Sequence, residues 1–505
     1  MRIRLTFLIG ALAFCLNVWA QYGKQVEYLD KYISNAVSEY NLPSLSIGIV
    51  KDGKVIMQKS YGYLENGKDA KADEHSIYGI ASLSKAFTTA SIGMLVDQGK
   101  MTWDDRVVDH LPYFELHDPY VSSHMTIRDL LSHRAGLATF DGDLLWYATD
   151  YSRGEIVRRI KYLPLKQEFR SDYGYQNIMF ITAGELIEAV SGMTWDQFVS
   201  DRIFKPLGMD RSYTSFEKID LKDNVTVPHL SGKAIFHLSY DNSGATAAIH
   251  SNVDDLCKWL QFWINNGVVG SDTLLSQAVI NEIQMQHTVI RTSAFDARSG
   301  IHFKGYGLGW FLMDYDGRKV VHHGGGLPGY ISKIALVPEE NLGMIVLTND
   351  MNWLPSALAY KVIDVFTTKD MDGRDWAGEF LGYSMASDRA LEEAKIKRHQ
   401  ARVENTKPSK ALDAYTGTFS DAMYGDARIS LSEKKLTLEM LPSKELFTAV
   451  LNHWHYNTFQ FEFKDPFLPE GFLTFEFDSD GDVTGFTIDL PNPDFHFFNL
   501  HFKRK

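Results

Sequence analysis

Ser82-Leu83-Ser84-Lys85, preceded by Tyr78-Gly79-Ile80-Ala81, is the stretch on which the reading of this chain turns. Leu83, Ala86, Phe87, Ala90 and Met94 follow at helical spacing, and Gly99 supplies a stop. The segment therefore predicts a long amphipathic helix opening at Ser82. A hydroxyl and an amine three residues apart on a helix share one face and can touch. A partly desolvated lysine in that position loses its proton and can act as base for the serine, with no histidine required. The chemistry this predicts is acyl transfer through a covalent acyl-enzyme. The plainer alternative is that Ser82 is an N-cap, a position that serine favours.

Ser-x-x-Lys occurs three times, at Ser82, Ser215 and Ser432, so context has to separate the copies. Ser432 stands between the alternating apolar residues of 429–431 and 436–438 and predicts a hairpin turn. Ser215 falls in the polar stretch 214–220 with no long helix behind it. Only Ser82 precedes a sustained helical pattern.

The bulk properties narrow the setting. A length of 505 residues allows two or three domains, and 45% hydrophobic with 23% charged residues is ordinary for a folded soluble protein. A net charge of −13 argues against nucleic acid or an anionic membrane as the main partner. No helix-turn-helix, basic stripe or glycine-rich phosphate loop contradicts this. Arg2 and Arg4 followed by an apolar run over 5–16 read as a secretory signal, with cleavage expected after Ala20. A secreted or periplasmic protein without stable membrane insertion is the corresponding expectation. Cys15 lies inside the apolar run, so Cys257 alone remains after cleavage and no internal disulfide can form. Its helical context, 254–260, predicts a packed core residue.

Along the mature chain, 24–40 predicts a first helix. Residues 46–50 and 55–57 predict a hairpin turned at Lys51-Asp52-Gly53-Lys54. Helices and loops are expected over 101–250, among them a short helix capped by Thr126 and a helix over 180–191 stopped by Gly192. Strands are expected over 307–313, 319–323, 331–337 and 343–348. The fold class is α+β, a sheet completed from both ends of a domain over 21–385. A charged linker helix follows within 386–406. Residues 407–505 then alternate apolar and polar (Phe459, Phe461, Phe463; Leu473, Phe475, Phe477; Phe498, Leu500, Phe502), the pattern of an antiparallel barrel or sandwich with a phenylalanine core. Asp478-Ser479-Asp480-Gly481-Asp482 lacks the spacing and distal glutamate of a calcium loop and predicts a hairpin turn.

Two further elements bear on Ser82. In Tyr175-Gln176-Asn177, a tyrosine beside a lysine cation can have its pKa lowered and act as a base, while the amide can bond both the lysine and a substrate carbonyl. In His323-Gly324-Gly325-Gly326, directly after a strand, the glycines permit close approach of a substrate backbone, and the Gly326 N–H can face an oxyanion. His322 and His323 lack the partners of a metal site, and no metal or other cofactor is expected.

In combination and in this order, Ser82/Lys85, Tyr175/Asn177 and His323/Gly325 resemble the three motifs of the serine β-lactamase and penicillin-binding-protein superfamily, in the branch of class C β-lactamases, D-aminopeptidases and related esterases. Leu130-Leu131-Ser132-His133-Arg134-Ala135-Gly136-Leu137, Ile203-Phe204-Lys205-Pro206-Leu207-Gly208-Met209 and Leu347-Thr348-Asn349 resemble intervening family segments. The resemblance covers roughly residues 25 to 370, and 407–505 resembles the small lipocalin-like barrel that some members carry. It implies a β-lactamase/transpeptidase-like domain: an antiparallel sheet with a helical subdomain. It also implies Ser82 as nucleophile, Lys85 and Tyr175 as proton carriers, and Asn177, His323 and Gly325 as substrate-binding residues. The N–H groups of Ser82 and Gly326 would form the oxyanion hole. His323 stands where β-lactamases and transpeptidases usually carry a lysine, which favours a peptidase or esterase over a true β-lactamase. Gln176 is bulkier than the usual residue and is expected to narrow the cleft.

The expected function is a secreted serine hydrolase acting on a small-molecule or peptide substrate at a peptide, amide or ester bond. Two other readings are a binding or sensor protein on the same scaffold and a polymer-binding protein working through its barrel. A homo-oligomer is left open.

Overall fold

The hairpin read at Lys51-Asp52-Gly53-Lys54 starts the architecture. Asp52 and Gly53 both take positive φ (52° and 74°), the two-residue turn that matches the twist of paired strands. It joins β1 (Ser44–Lys51) to β2 (Lys54–Gly62). The computed structural model describes residues 2–368 and 371–505, with side chains from Gln21 onward. Ahead of the hairpin runs α1 (Arg2–Glu39), longer than the helix expected over 24–40. The signal read in residues 1–20 concerns side chains outside those described. Among the described residues, no helix is long and apolar enough to cross a membrane.

The sheet is completed from the far end of the domain. Its other strands are β3 (Thr288–Ile290), β4 (Lys304–Tyr306), β5 (Phe311–Tyr315), β6 (Arg318–Leu327), β7 (Tyr330–Val337) and β8 (Leu342–Thr348). The order is β2-β1-β8-β7-β6-β5-β4-β3, antiparallel throughout. Two expectations need correcting. The strand read over 307–313 begins only at Phe311, since β4 ends at Tyr306 and Gly309 turns the chain at φ 76° before β5. The glycines 324–326 do not follow a strand but belong to β6 itself.

One face of the sheet packs on α1 and α5 (Leu354–Thr367). Against the other face lie α2 (Ser84–Asp97), the helical middle with α3 (Asn177–Ser191), and α4 (Val253–Ile264). Helix α2 is not amphipathic as expected. Every residue from Ser84 to Leu95 is buried, because the helix runs between the sheet and the helical half and has no solvent face. Its stop is as read, with Gly99 at φ 66°. Gly192 at φ 74° likewise ends α3, and Thr126 closes a capping box with Asp129. Cys257 is buried on α4 beneath β1, where a Cβ on Gly48 would strike its sulfur.

The charged linker helix read within 386–406 is the outer part of α6 (Trp376–Gln400). Trp376, Ala377 and Phe380 bury its first turns on the sheet domain, and the later turns are mostly exposed. Eight strands, from Gly417–Asp421 to His501–Arg504, then close an antiparallel barrel in sequence order. Phe419, Phe459, Phe475, Phe486 and Phe502 are buried and pack edge-on or stacked, so the barrel is filled by its own side chains. Glu433 and Lys434 turn a hairpin at positive φ beside Ser432, as that context predicts. Asp478 likewise receives the N–H groups of Asp480 and Asp482 in a turn.

Gly325 is the contact by which the sheet positions the serine. A Cβ there would overlap Ser332 Oγ and the carbonyl oxygen of Ile80, in the turn that carries Ser82. Gly325→Ala therefore forces β6 away from that turn. The expected destabilisation is about 1–3 kcal/mol, typical of overpacking, read from the midpoint of urea unfolding. An unchanged midpoint would refute this account of the glycine.

Candidate active site

Ser82 does not open α2. It lies in a 3-10 turn, Ala81–Leu83, immediately before it. Ala81 is held at φ 52°, a conformation that costs a non-glycine residue energy and persists where surroundings impose it. Here the Ile80 N–H donates to Ile249 O (2.9 Å), and Ile80 O accepts from Ser332 Oγ (2.7 Å). The turn is thus clamped between the sheet and the 244–251 segment.

Lys85, one turn into α2, is fully buried. Its Nζ reaches Ser82 Oγ at 3.0 Å, Asn177 Oδ1 at 2.7 Å and Thr246 O at 3.1 Å. It also lies 4.8 Å from the centre of the Tyr175 ring. Burial holds the amine well below the usual lysine range, and the negative charge of Asp143 works in the opposite direction. Asn177 is kept in its orientation by donating from Nδ2 to Asp143 Oδ2 (2.6 Å), while Trp146 Nε1 donates to the other oxygen (3.0 Å). Burial pushes the Asp143 carboxyl up to about 7. Neither Asp143 nor Thr246 carried a sequence signal, since both come from irregular segments with no motif spacing.

Tyr175 runs against one expectation. Its phenol is held above its ordinary pKa, first by burial, with Asp143 adding to the rise and a hydrogen bond to Ser82 opposing it. The proximity of Lys85 does not lower it, so the group is a phenol rather than a phenolate at neutral pH. Gln176 also departs from its reading. Its side chain is buried and donates to the carbonyl oxygens of Leu137 (2.7 Å) and Ala138 (3.3 Å), away from the cleft.

These groups face a cavity of about 620 Å³ lined by Ser82, Tyr175, Asn177, His323, Gly324 and Gly326. Gly325 points to the Ser82 turn instead. His323 is buried and pushed down to about 3, first by burial and then by the positive charge of Lys85. Its ring nitrogens engage Tyr306 Oη (3.0 Å) and Gly324 O (2.6 Å). Strand β5 pairs with β6 only as far as His322, so residues 323–327 present an unpaired backbone edge at the cavity. The barrel supplies another wall through Phe467, Asp494 and Phe495. Phe495 stacks on Tyr147 at 4.0 Å, and Tyr147 Oη donates to Asp465 Oδ2 (2.7 Å).

The family model Beta-lactamase matches residues 29–365. The chain belongs to that family. It is a serine hydrolase of the β-lactamase and penicillin-binding-protein superfamily. Residues 401–504 match a domain of unknown function, DUF3471. Unguisins hydrolase ungD' of Aspergillus campestris is 28% identical over 80% of this chain and 77% of its own length. Protein flp of Staphylococcus aureus is 27% identical over 64% of this chain and 63% of its own. The octameric penicillin-binding protein homologue from Pyrococcus abyssi shares the fold, with a TM-score of 0.60 at 20% identity over 94% of this chain and 99% of that one.

Phe495→Ala removes a stacked ring from the barrel-side wall. The hydrolase is expected to accept bulkier acyl groups after the change, read as a rise in kcat/KM for a long branched p-nitrophenyl ester relative to the acetate. An unaltered ratio would show that the barrel does not shape the site.

Proposed function

We propose that this serine hydrolase is a secreted or periplasmic peptidase or esterase that works through an acyl-enzyme on Ser82, with little true β-lactamase activity. The observation that carries the catalytic part is the Lys85 amine, buried and 3.0 Å from Ser82 Oγ. Burial holds this amine well below the usual lysine range, so it gives up its own proton more readily and can then take the proton of the serine. Ser82 Oγ then bonds to the acyl carbon, and the N–H groups of Ser82 and Gly326 hold the oxyanion, each worth about 3 kcal/mol in comparable hydrolases. Tyr175, protonated at rest, gives its proton to the leaving group as the bond to the acyl carbon breaks, and Lys85 restores it. Water attacks the acyl-enzyme by the reverse proton path, and Ser82 is released. Asn177 keeps Lys85 in place.

The unpaired edge of residues 323–327 supports an extended, peptide-like substrate, since a backbone can add there as a strand. A neutral His323 with both nitrogens engaged supports the disfavour of β-lactams, which would need a cation at this position. The signal read in residues 1–20 supports export.

Intact-protein mass spectrometry after incubation with a fluorophosphonate tests the nucleophile. One adduct on Ser82 is expected, absent from Ser82→Ala and slowed by about 10²-fold or more in Lys85→Ala, the scale of general-base loss. No adduct on folded wild type would defeat the assignment. The pH dependence carries a sign. Labelling needs a neutral Lys85, and the Asp143 charge raises the lysine pKa. Asp143→Asn should therefore move the rising limb of the labelling profile to lower pH. A shift to higher pH would contradict the proposed electrostatics.

A further inference from the structure

Tyr175 and Asn177 are both held from one side by a short turn, residues 138–143. Thr139 Oγ1 accepts the Tyr175 N–H (3.1 Å), and the Phe140 N–H donates to Tyr175 O (2.7 Å). The Phe140 ring packs edge-on against the Tyr175 ring, with 5.6 Å between centres. At the end of the turn, Asp143 holds the Asn177 amide that in turn holds Lys85. Phe140 stands at φ 65°, a left-handed conformation that a residue other than glycine keeps only where its surroundings impose it.

The surroundings act through Asp141, which is buried. Its Oδ2 closes the turn by accepting the Ala138 N–H (2.9 Å). Its Oδ1 accepts from His496 Nδ1 (3.0 Å) and Asn499 Nδ2 (3.1 Å). Both donors belong to the barrel, on the connection between its last two strands, Val483–Asp489 and His501–Arg504. Among the described residues, no group of the sheet domain bonds that oxygen. His496 Nε2 faces Pro493 O (3.2 Å), so both ring nitrogens point at acceptors and both donate, which is the imidazolium form. Burial alone would lower the His496 pKa, but the bond to Asp141 and the charges of Asp141 and Asp143 outweigh it and hold the group above its ordinary value. Asp494 is the further charge that acts on this ring. Charge-assisted bonds of this kind are roughly twice as strong as neutral ones.

We propose that His496 is a positioning residue for the hydrolase reaction: from the barrel, and through Asp141, it fixes the turn that orients Tyr175 and Asn177 beside Ser82. The sheet domain carries the reacting groups, and the barrel keeps two of them in place. A displacement of about 1 Å at such a group can cost about 10²-fold in rate. The effect on rate rests on the hydrolase reading above, while the fastening of the turn can be measured without turnover.

The test reads two quantities on full-length proteins: the rate of fluorophosphonate labelling of Ser82 across pH, and deuterium uptake over residues 138–147 by mass spectrometry. His496→Leu is expected to speed that uptake tenfold or more and to slow labelling tenfold or more. It should also move the rising limb of the labelling profile to lower pH, because Asp143 is no longer held beside Asn177 and Lys85. In an Asp143→Asn background the same change should add no further shift. His496→Asn, whose Nδ2 takes the place of the Nδ1 donor, should bring both readings back to within about threefold of wild type. Asn499→Ala removes the other bond to Asp141 and should move both readings in the same directions by less, which keeps the proposal testable if His496→Leu does not fold. Wild-type labelling by folded His496→Leu, a further limb shift in the Asp143→Asn background, a loss that His496→Asn does not repair, or wild-type behaviour of Asn499→Ala beside an unfolded His496→Leu would each overturn the proposal. A wild type that does not label counts against the hydrolase mechanism alone if His496→Leu still speeds uptake, and against both ideas if uptake is unchanged.

Discussion

The burial of a single amine governs the arrangement of this site. An ammonium taken out of water loses several kcal/mol of solvation unless partners replace it. Lys85 has three oxygen partners, from Ser82, Asn177 and Thr246, and one carboxyl at a remove, Asp143. Each partner comes from a different part of the chain. The turn before α2 brings the serine, the start of α3 brings the amide, and the 244–246 turn brings the carbonyl. Placing them around one atom goes with α2 being enclosed on all sides from Ser84 to Leu95. Thr88 Oγ1 donating to Ala245 O (2.6 Å) and Ile249 N donating to Ser84 Oγ (3.1 Å) tie the same helix to the same turn. Burial then acts on the partners. It depresses the amine and raises both the carboxyl of Asp143 and the phenol of Tyr175, so the resting site favours uncharged groups beside the serine.

The second constraint is the short strand β5. An unpaired strand edge ordinarily invites aggregation and is blunted or covered. Here the edge at 323–327 opens into a cavity rather than bulk solvent, flanked by Phe311 on one side and the barrel on another. The same opening is lined by His322 of β6 and Lys333 of β7. One short strand thereby joins two chemically different walls in one cavity: neutral around Ser82 and cationic around Lys333.

Local signals were legible in the sequence and distant ones were not. The Asp52-Gly53 turn, the Thr126 cap, the Gly192 stop and the Glu433-Lys434 turn depend on a few consecutive residues, and each was read correctly. The barrel was visible because period-two alternation of phenylalanine is itself local. Helix α2 was misjudged because a helix enclosed on every side and one enclosed on a single side can both start with the same spacing of apolar residues. Gly325 was read as a substrate contact, although its small size serves the approach of β6 to Ile80 and Ser332. Gln176 was expected in the cleft, although the carbonyls of Leu137 and Ala138 draw it away. Asp143 and Lys333 could not be found, since one opens a short 3-10 turn and the other is a lone lysine in an apolar strand. Only the fold makes them neighbours of Asn177 and His322.

The barrel closes one side of the cavity. Its interior is packed with phenylalanine side chains. What it offers is outside: Phe467 and the Asp494-Phe495 pair, laid against Trp146 and Tyr147 over the mouth of the cavity. Tyr147 with Asp465, and His496 with Asp141 (3.0 Å), fasten that contact by buried or half-buried polar pairs. A closely packed barrel makes a wall that yields little. The aromatic residues that fill the barrel thus stand behind a wall of a cavity that lies outside it.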